Sequence, residues 1–159
     1  MRKKNREISD WNEIIEVMKR CDVCRLAFND KEGYPYILPL NFGLDISNGI
    51  VKLYFHSATE GYKWEVIARD NRATFEMDCE HELEYFAEQG YCTMAYESVI
   101  GRGKVTELEE EEKVAALQKL MDHYHEGHTY YNPAAISRTR VYALTVESMT
   151  GKRKEKKSL

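Results

Sequence analysis

The feature that most constrains this chain is a change of apolar period near residue 24. Up to that point the pattern is helical. Trp11, Ile14, Ile15 and Met18 fall at i, i+3, i+4 and i+7, one stripe of a helix. Asp10 and Glu13 have the spacing of a capping box at its start. Then the period becomes two. Arg25-Leu26-Ala27-Phe28 leads into the turn-rich stretch Asn29 to Gly33. Tyr36, Leu38, Leu40 and Phe42 alternate through a second strand. Asn48-Gly49 marks a hairpin, and Val51 to His56 is the returning strand. A short helix is predicted from Gly61 to Asp70, with Trp64, Ile67 and Ala68 on one side. Ala73 to Met77 reads as a fourth strand and Tyr91 to Thr106 as a long fifth, crossed by Gly101 and Gly103. A helix follows from Glu109 to His123, with Val114, Leu117, Leu120, Met121 and Tyr124 on its buried side and acidic residues in its first turn. A last strand runs from Val141 to Glu147. Mostly antiparallel strands with a few helices around them point to a mainly β protein, a small β-barrel with flanking helices, in one domain spanning 1–159.

Charge and cysteine usage narrow the function. Residues 2–6 carry four basic groups and 152–157 carry five, whereas 7–151 hold 14 Lys and Arg against 26 Asp and Glu. A body that acidic repels phosphate backbones, which argues against a nucleic-acid platform. The basic ends read as solvated tails. No apolar run approaches the ~20 residues of a membrane span, and no apolar stretch follows Met1-Arg2-Lys3-Lys4, so the expectation is a cytoplasmic protein. Cys21 and Cys24 are spaced C-x-x-C, but Cys79 and Cys92 supply no second pair, and the motif lies at a helix end rather than a helix start. These cysteines read as structural and reduced, with no metal bound.

Three stretches carry chemistry. In Tyr54-Phe55-His56-Ser57-Ala58 a strand ends, and a helix starts near Gly61 with Lys63 behind it. Free N–H groups at a helix start, a hydroxyl from Ser57 and the Lys63 ammonium suit a phosphate monoester, although a capped helix with a surface lysine has the same sequence. In Tyr36 to Phe42, Pro39 lacks a ladder donor and marks an edge or a bulge. There the main chain of Leu40 and Asn41 could meet a flat ligand. In Ser98-Val99-Ile100-Gly101-Arg102-Gly103 the glycines fit either a barrel bend or a close ligand, and the pattern is no dinucleotide fingerprint.

Taken together and in this order, these stretches resemble the Nim-type (5-nitroimidazole resistance) branch of the pyridoxamine 5'-phosphate oxidase-like flavin proteins, over about residues 2–152. The resemblance implies an FMN-binding split barrel that forms a homodimer, with FMN in grooves between the subunits. It implies that Pro39, Leu40, Asn41 and Phe42 line the isoalloxazine ring. His56, Ser57, Ala58 and Gly61 would lie beside the ribityl chain and phosphate, and Lys63 would pair with the phosphate. Ser98 and Val99 would approach the flavin from the other subunit. The chain departs from true pyridoxamine phosphate oxidases, which carry an arginine-rich strand and a Ser-Arg-Lys motif. Here Pro39-Leu40-Asn41 and Gly61-Tyr62-Lys63 stand in their places, which argues against a phosphorylated pyridoxamine as substrate.

The implied activity is electron transfer from a nicotinamide donor through FMN to a small molecule, nitroaromatics included. His56 is the candidate for positioning substrate or supplying a proton. Two alternatives stay open: an FMN carrier or sensor without efficient turnover, and a haem-binding split barrel. The second rests on His123, His125 and His128 with Glu126, an H-x-H-x-x-H cluster that could hold a metal or haem iron. The same histidines also fit the favoured charge at a helix end. Tyr124, Tyr130 and Tyr131 beside them could close over the substrate side of the flavin.

Overall fold

The computed structural model describes residues 4–125, 127 and 132–156. A 3-10 turn at Lys4–Arg6 leads into the short strand β1 (Glu7–Ile8) and helix α1 (Trp11–Arg20). The Asp10 carboxylate caps α1 by accepting from the N–H groups of Asn12 (2.7 Å) and Glu13 (3.2 Å). Strands β2 (Cys24–Asn29), β3 (Pro35–Leu40), β4 (Gly43–Ser47) and β5 (Ile50–Ala58) follow, then helix α2 (Tyr62–Arg69). Two long strands, β6 (Arg72–Phe86) and β7 (Tyr91–Glu107), form a hairpin. Helices α3 (Glu110–Tyr124) and α4 (Pro133–Ile136) precede the last strand, β8 (Thr139–Lys154).

All pairings are antiparallel, in the order β3-β2-β6-β7-β8-β5-β4, with β1 added to β8. The two ends of this ladder, β3 and β4, are separated in the chain by only Asn41 and Phe42. Three virtual bonds of 3.8 Å span at most about 11 Å, so the sheet must curl until its ends meet. That covalent crossover closes the barrel without a ladder between β3 and β4, which makes it split. Period-two burial follows from the closure: Leu26, Phe28, Leu53, Phe55, Phe75, Met77, Val99, Val105, Tyr142 and Leu144 fill the interior. Helix α1 buries Ile14, Ile15, Val17 and Met18 in the same core. Helix α3 lies so close to β4 that a Cβ on Gly43 would sit 2.7 Å from the Leu120 Cα.

Several expectations need correcting. The predicted strand through Phe42 stops at Leu40, because the chain there leaves one end of the sheet for the other. The hairpin at Asn48-Gly49 joins β4 and β5, with both turn residues at positive φ (54° and 76°). Strand β6 runs nine residues past Met77, to Phe86. The last strand runs to Lys154, so the basic stretch after Glu147 is largely sheet rather than a solvated tail. On α3 the buried residues are Ala116 and Leu120, while Val114 (47 % exposed) and Tyr124 (40 %) are not.

Candidate functional site

The end of β5 and the start of α2 form one corner, as expected from their sequence. Alternation sends neighbouring β5 side chains to opposite faces. Ser57 shares a face with buried Phe55, and His56 lies on the other. The indole N–H of Trp64 donates to the Ala58 carbonyl (3.1 Å) and ties α2 back onto the strand. Gly61 stands before the helix at φ 133°, a conformation that strains any residue with a Cβ. Its side makes no cap hydrogen bond, so the first N–H groups of α2 receive nothing from the N-cap side chain. His56, Ala58 and Gly61 are exposed, and Ser57 and Lys63 half-buried. This corner is therefore an open surface carrying donors, with Lys63 at the start of its helix.

The electrostatics of the corner are set by partial burial. Desolvation pushes the Lys63 ammonium below the usual lysine range. Desolvation, and then the charge of Lys63, push the His56 imidazole below its ordinary value. Both causes favour the neutral imidazole of His56 over its protonated form. Replacing Lys63 by methionine removes the second cause. The His56 titration midpoint is expected to move up in Lys63→Met, read from imidazole proton shifts by NMR between pH 5 and 8. An unmoved or lower midpoint would refute the coupling.

An aromatic cluster underlies the corner. Tyr142 on β8 stacks on Phe55 (5.5 Å between centroids) and meets Trp64 edge-on (5.1 Å). It is fully buried, and the Ser57 side chain offers its hydroxyl a polar neighbour. Burial pushes that phenol up to about 12; the Ser57 side chain opposes the shift, although its own hydroxyl donates to the Ala58 carbonyl (3.3 Å). Tyr36 on β3 packs edge-on against Tyr62 (5.3 Å), which brings the free edge strand to α2.

The other candidate residues lie apart from this corner. Pro39 pairs with Arg25 and Leu40 with Cys24 on the edge strand, so one side of that backbone carries no strand partner. Phe42 is fully buried against His123 (4.3 Å between ring centroids), so its side chain is core and only its main chain borders the crossover. Val99 is likewise fully buried inside the barrel, which removes its side chain from any surface groove. Ser98 is half-buried on the outer face of β7, separated from β5 by β8. Within one chain Ser98 and His56 do not meet.

The end of α3 braces the crossover, a role the sequence did not show. The Tyr124 hydroxyl accepts from the Phe42 N–H (3.1 Å) and donates to the Asp22 carbonyl (2.7 Å). His123 Nε2 lies 2.7 Å from the Cys21 carbonyl oxygen, which can only accept, so that nitrogen carries a proton. It offers no lone pair to a metal. His128, Glu126, Tyr130 and Tyr131 lie outside the described residues. Among the described residues no three His, Cys, Asp or Glu are grouped to hold a metal ion. Cys21 and Cys24 are buried free thiols, with burial pushing both far above the usual thiol range, which fits the structural, reduced reading. No helix of the described residues is long and apolar enough to cross a membrane.

A groove of about 660 Å³ lies along β2, β6 and β7. Phe28, Pro35, Arg72, Thr74, Arg102 and Glu147 are among its lining residues.

The profile of the family described as Pyridoxamine 5'-phosphate oxidase matches residues 10–153. Among solved structures, a protein from Bacteroides thetaiotaomicron named for 5-nitroimidazole antibiotic resistance is 34% identical, with 92% of this chain and 86% of that chain covered at a TM-score of 0.81. A FAD-binding protein from Mesorhizobium loti is 25% identical over 94% of this chain and 98% of that one, at a TM-score of 0.62. A FAD and haem binding protein from Mycobacterium smegmatis is 15% identical, covers 95% of this chain and 74% of that chain, and has a TM-score of 0.80, which speaks for the fold alone. No curated protein matches the chain.

Proposed function

The chain belongs to the pyridoxamine 5'-phosphate oxidase family, and from that premise we propose that it is a flavoprotein that binds FMN and passes electrons to a small molecule. The observation that carries the reading is the corner of His56, Ser57, Gly61 and Lys63 at the start of α2. It offers free helix N–H groups, a hydroxyl and an ammonium to one phosphate, with no carboxylate among those residues. Neighbours of this fold named for FAD binding, and the one named for nitroimidazole resistance, support a flavin and a nitroaromatic substrate class.

In this reading Lys63 and Ser57 hold the phosphate, and the main chain of Leu40 and Asn41 on the unpaired edge of β3 faces the ring. Bound flavin supplies the two-electron chemistry. His56 orients the substrate by hydrogen bonding or passes it a proton. The Tyr124 clamp keeps the Leu40–Phe42 backbone in one conformation. Ser98 reaches the same flavin only from a second subunit, so the site is completed in a homodimer. A carrier or sensor without turnover would share the binding corner and differ in lacking reduction by a nicotinamide donor.

The test is an absorption spectrum of the protein as purified, then chromatography of the cofactor released on denaturation. Two broad bands in the near-ultraviolet and blue, with FMN released, are expected. A sharp Soret band, or a protein that neither carries nor takes up FMN, would overturn the reading.

A further inference from the structure

Strand β8 places an arginine at this corner that the motif does not contain. Arg140 is the direct cross-strand partner of Ser57, and Tyr142 that of Phe55, so all four share one face of the β5–β8 ladder. The Arg140 guanidinium carbon lies 3.7 Å from the centroid of the Trp64 ring, and the Lys63 ammonium lies 5.8 Å from the same centroid. Two cations from distant parts of the sequence therefore flank one indole at the start of α2. Arg140 is half-buried, and its ion pair with Glu107 uses two of its nitrogens: Nε donates to one carboxylate oxygen (2.7 Å) and Nη2 to the other. The fork leaves Nη1 outside the Glu107 pair. Beneath the same face lies the fully buried Tyr142 hydroxyl, beside Ser57.

We propose that Arg140 is a phosphate-binding residue of this corner, held in place by Glu107, and that it sets the preference for a phosphorylated flavin over an unphosphorylated one. The inference rests on the flavin reading above and adds a residue to it. Glu107 plays two opposed parts. Its carboxylate fixes the guanidinium over Trp64, and its negative charge acts against a phosphate at the same place. The Arg140 ion pair holds that carboxyl below the usual carboxylate range, so it is charged throughout the neutral region.

The experiment uses the full chain stripped of flavin and measures the dissociation constants of FMN and riboflavin for the wild type, Arg140→Met and Glu107→Gln. Methionine retains an apolar chain against Trp64 without the charge. The expected result for Arg140→Met is FMN binding weakened about tenfold or more, the worth of a charge-assisted hydrogen bond, with riboflavin within twofold. Glu107→Gln is expected to tighten FMN several-fold and leave riboflavin unchanged. If Arg140→Met weakens both ligands equally, or neither, Arg140 is only a brace for Trp64 and the proposal falls. If Arg140→Met does not fold, Arg140→Gln takes its place with the same expectation, and equal weakening of both ligands, or of neither, overturns the proposal. A wild type that binds both flavins equally also overturns it while sparing the flavin reading. A wild type that binds neither overturns both.

Discussion

Gly103→Ala is expected to destabilise the protein by about 3 kcal/mol or more, an unusually large effect for one methyl group. A Cβ built at Gly103 lands on the Thr145 carbonyl of the neighbouring strand, 2.9 Å from its carbon and closer still to its oxygen. That neighbour is backbone, so no rotamer change relieves it. The contact lies where the β7–β8 register shifts between Arg102 and Gly103, the point at which the long strand bends into the barrel. Gly101 is similar: its Cβ would meet the Phe75 ring at 2.5 Å and the Ser148 carbonyl oxygen at 2.7 Å, and Phe75 is fully buried. The measurement is the urea midpoint of each variant, with Gly33→Ala for comparison. Gly33 has open space around it and only its positive φ of 86° to lose, so a cost of about 1 kcal/mol is expected there. A Gly103→Ala variant within 1 kcal/mol of the wild type would refute the claim that this glycine exists for the bend.

Of the two readings left open for Gly101 and Gly103, a bend or a close ligand, the sheet rather than the motif supports the bend, through its tight packing, while Gly103 also borders the groove on β2 and β6. This is typical of what could be read in advance. Features encoded within a few residues were legible: the Asp10 cap, the Asn48-Gly49 turn, and the strand-to-helix corner from His56 to Lys63. Features that depend on which strand pairs with which were not. Tyr36, Leu38, Leu40 and Phe42 keep one parity straight through the break after Leu40, because parity reports a face and not a partner. Asp78, Glu80, Glu82 and Glu84 show no apolar alternation, and the second half of β6 is held by cations from the far end of the chain. Arg140 carries no motif at all, since it reaches the corner only through the β5–β8 register.

The cations at that far end give the other large effect. A chain ending at Gly151 is expected to lose about 3–5 kcal/mol of stability, whereas one ending at Glu155 stays within ~0.5 kcal/mol of the full chain. The shorter chain loses the ladder pairs of Lys152, Arg153 and Lys154 with Ser98, Glu97 and Tyr96, and the pair that Lys152 makes with Glu7. It also removes one cation from each of two buried carboxylates. Glu97, 9 % exposed, lies between Arg20 and Arg153, and Glu84, 6 % exposed, pairs with Lys154. Burial opposes ionisation of Glu97, but the hydrogen bonds from Arg20 and Arg153 win and hold its carboxyl below the usual range. Removing one guanidinium leaves a buried charge half-compensated, the costly case for an ion pair. The Lys156–Glu82 pair, lost in both truncations, is exposed on both sides and contributes little. Urea midpoints of the two truncations separate the possibilities, since a loss of 3 kcal/mol moves the midpoint by roughly 1–3 M. Equal midpoints would mean that the basic end is a solvated tail after all. A low midpoint for the Gly151 chain alone would show that residues 152–155 belong to the folded barrel, through their ladder pairs and their charges together.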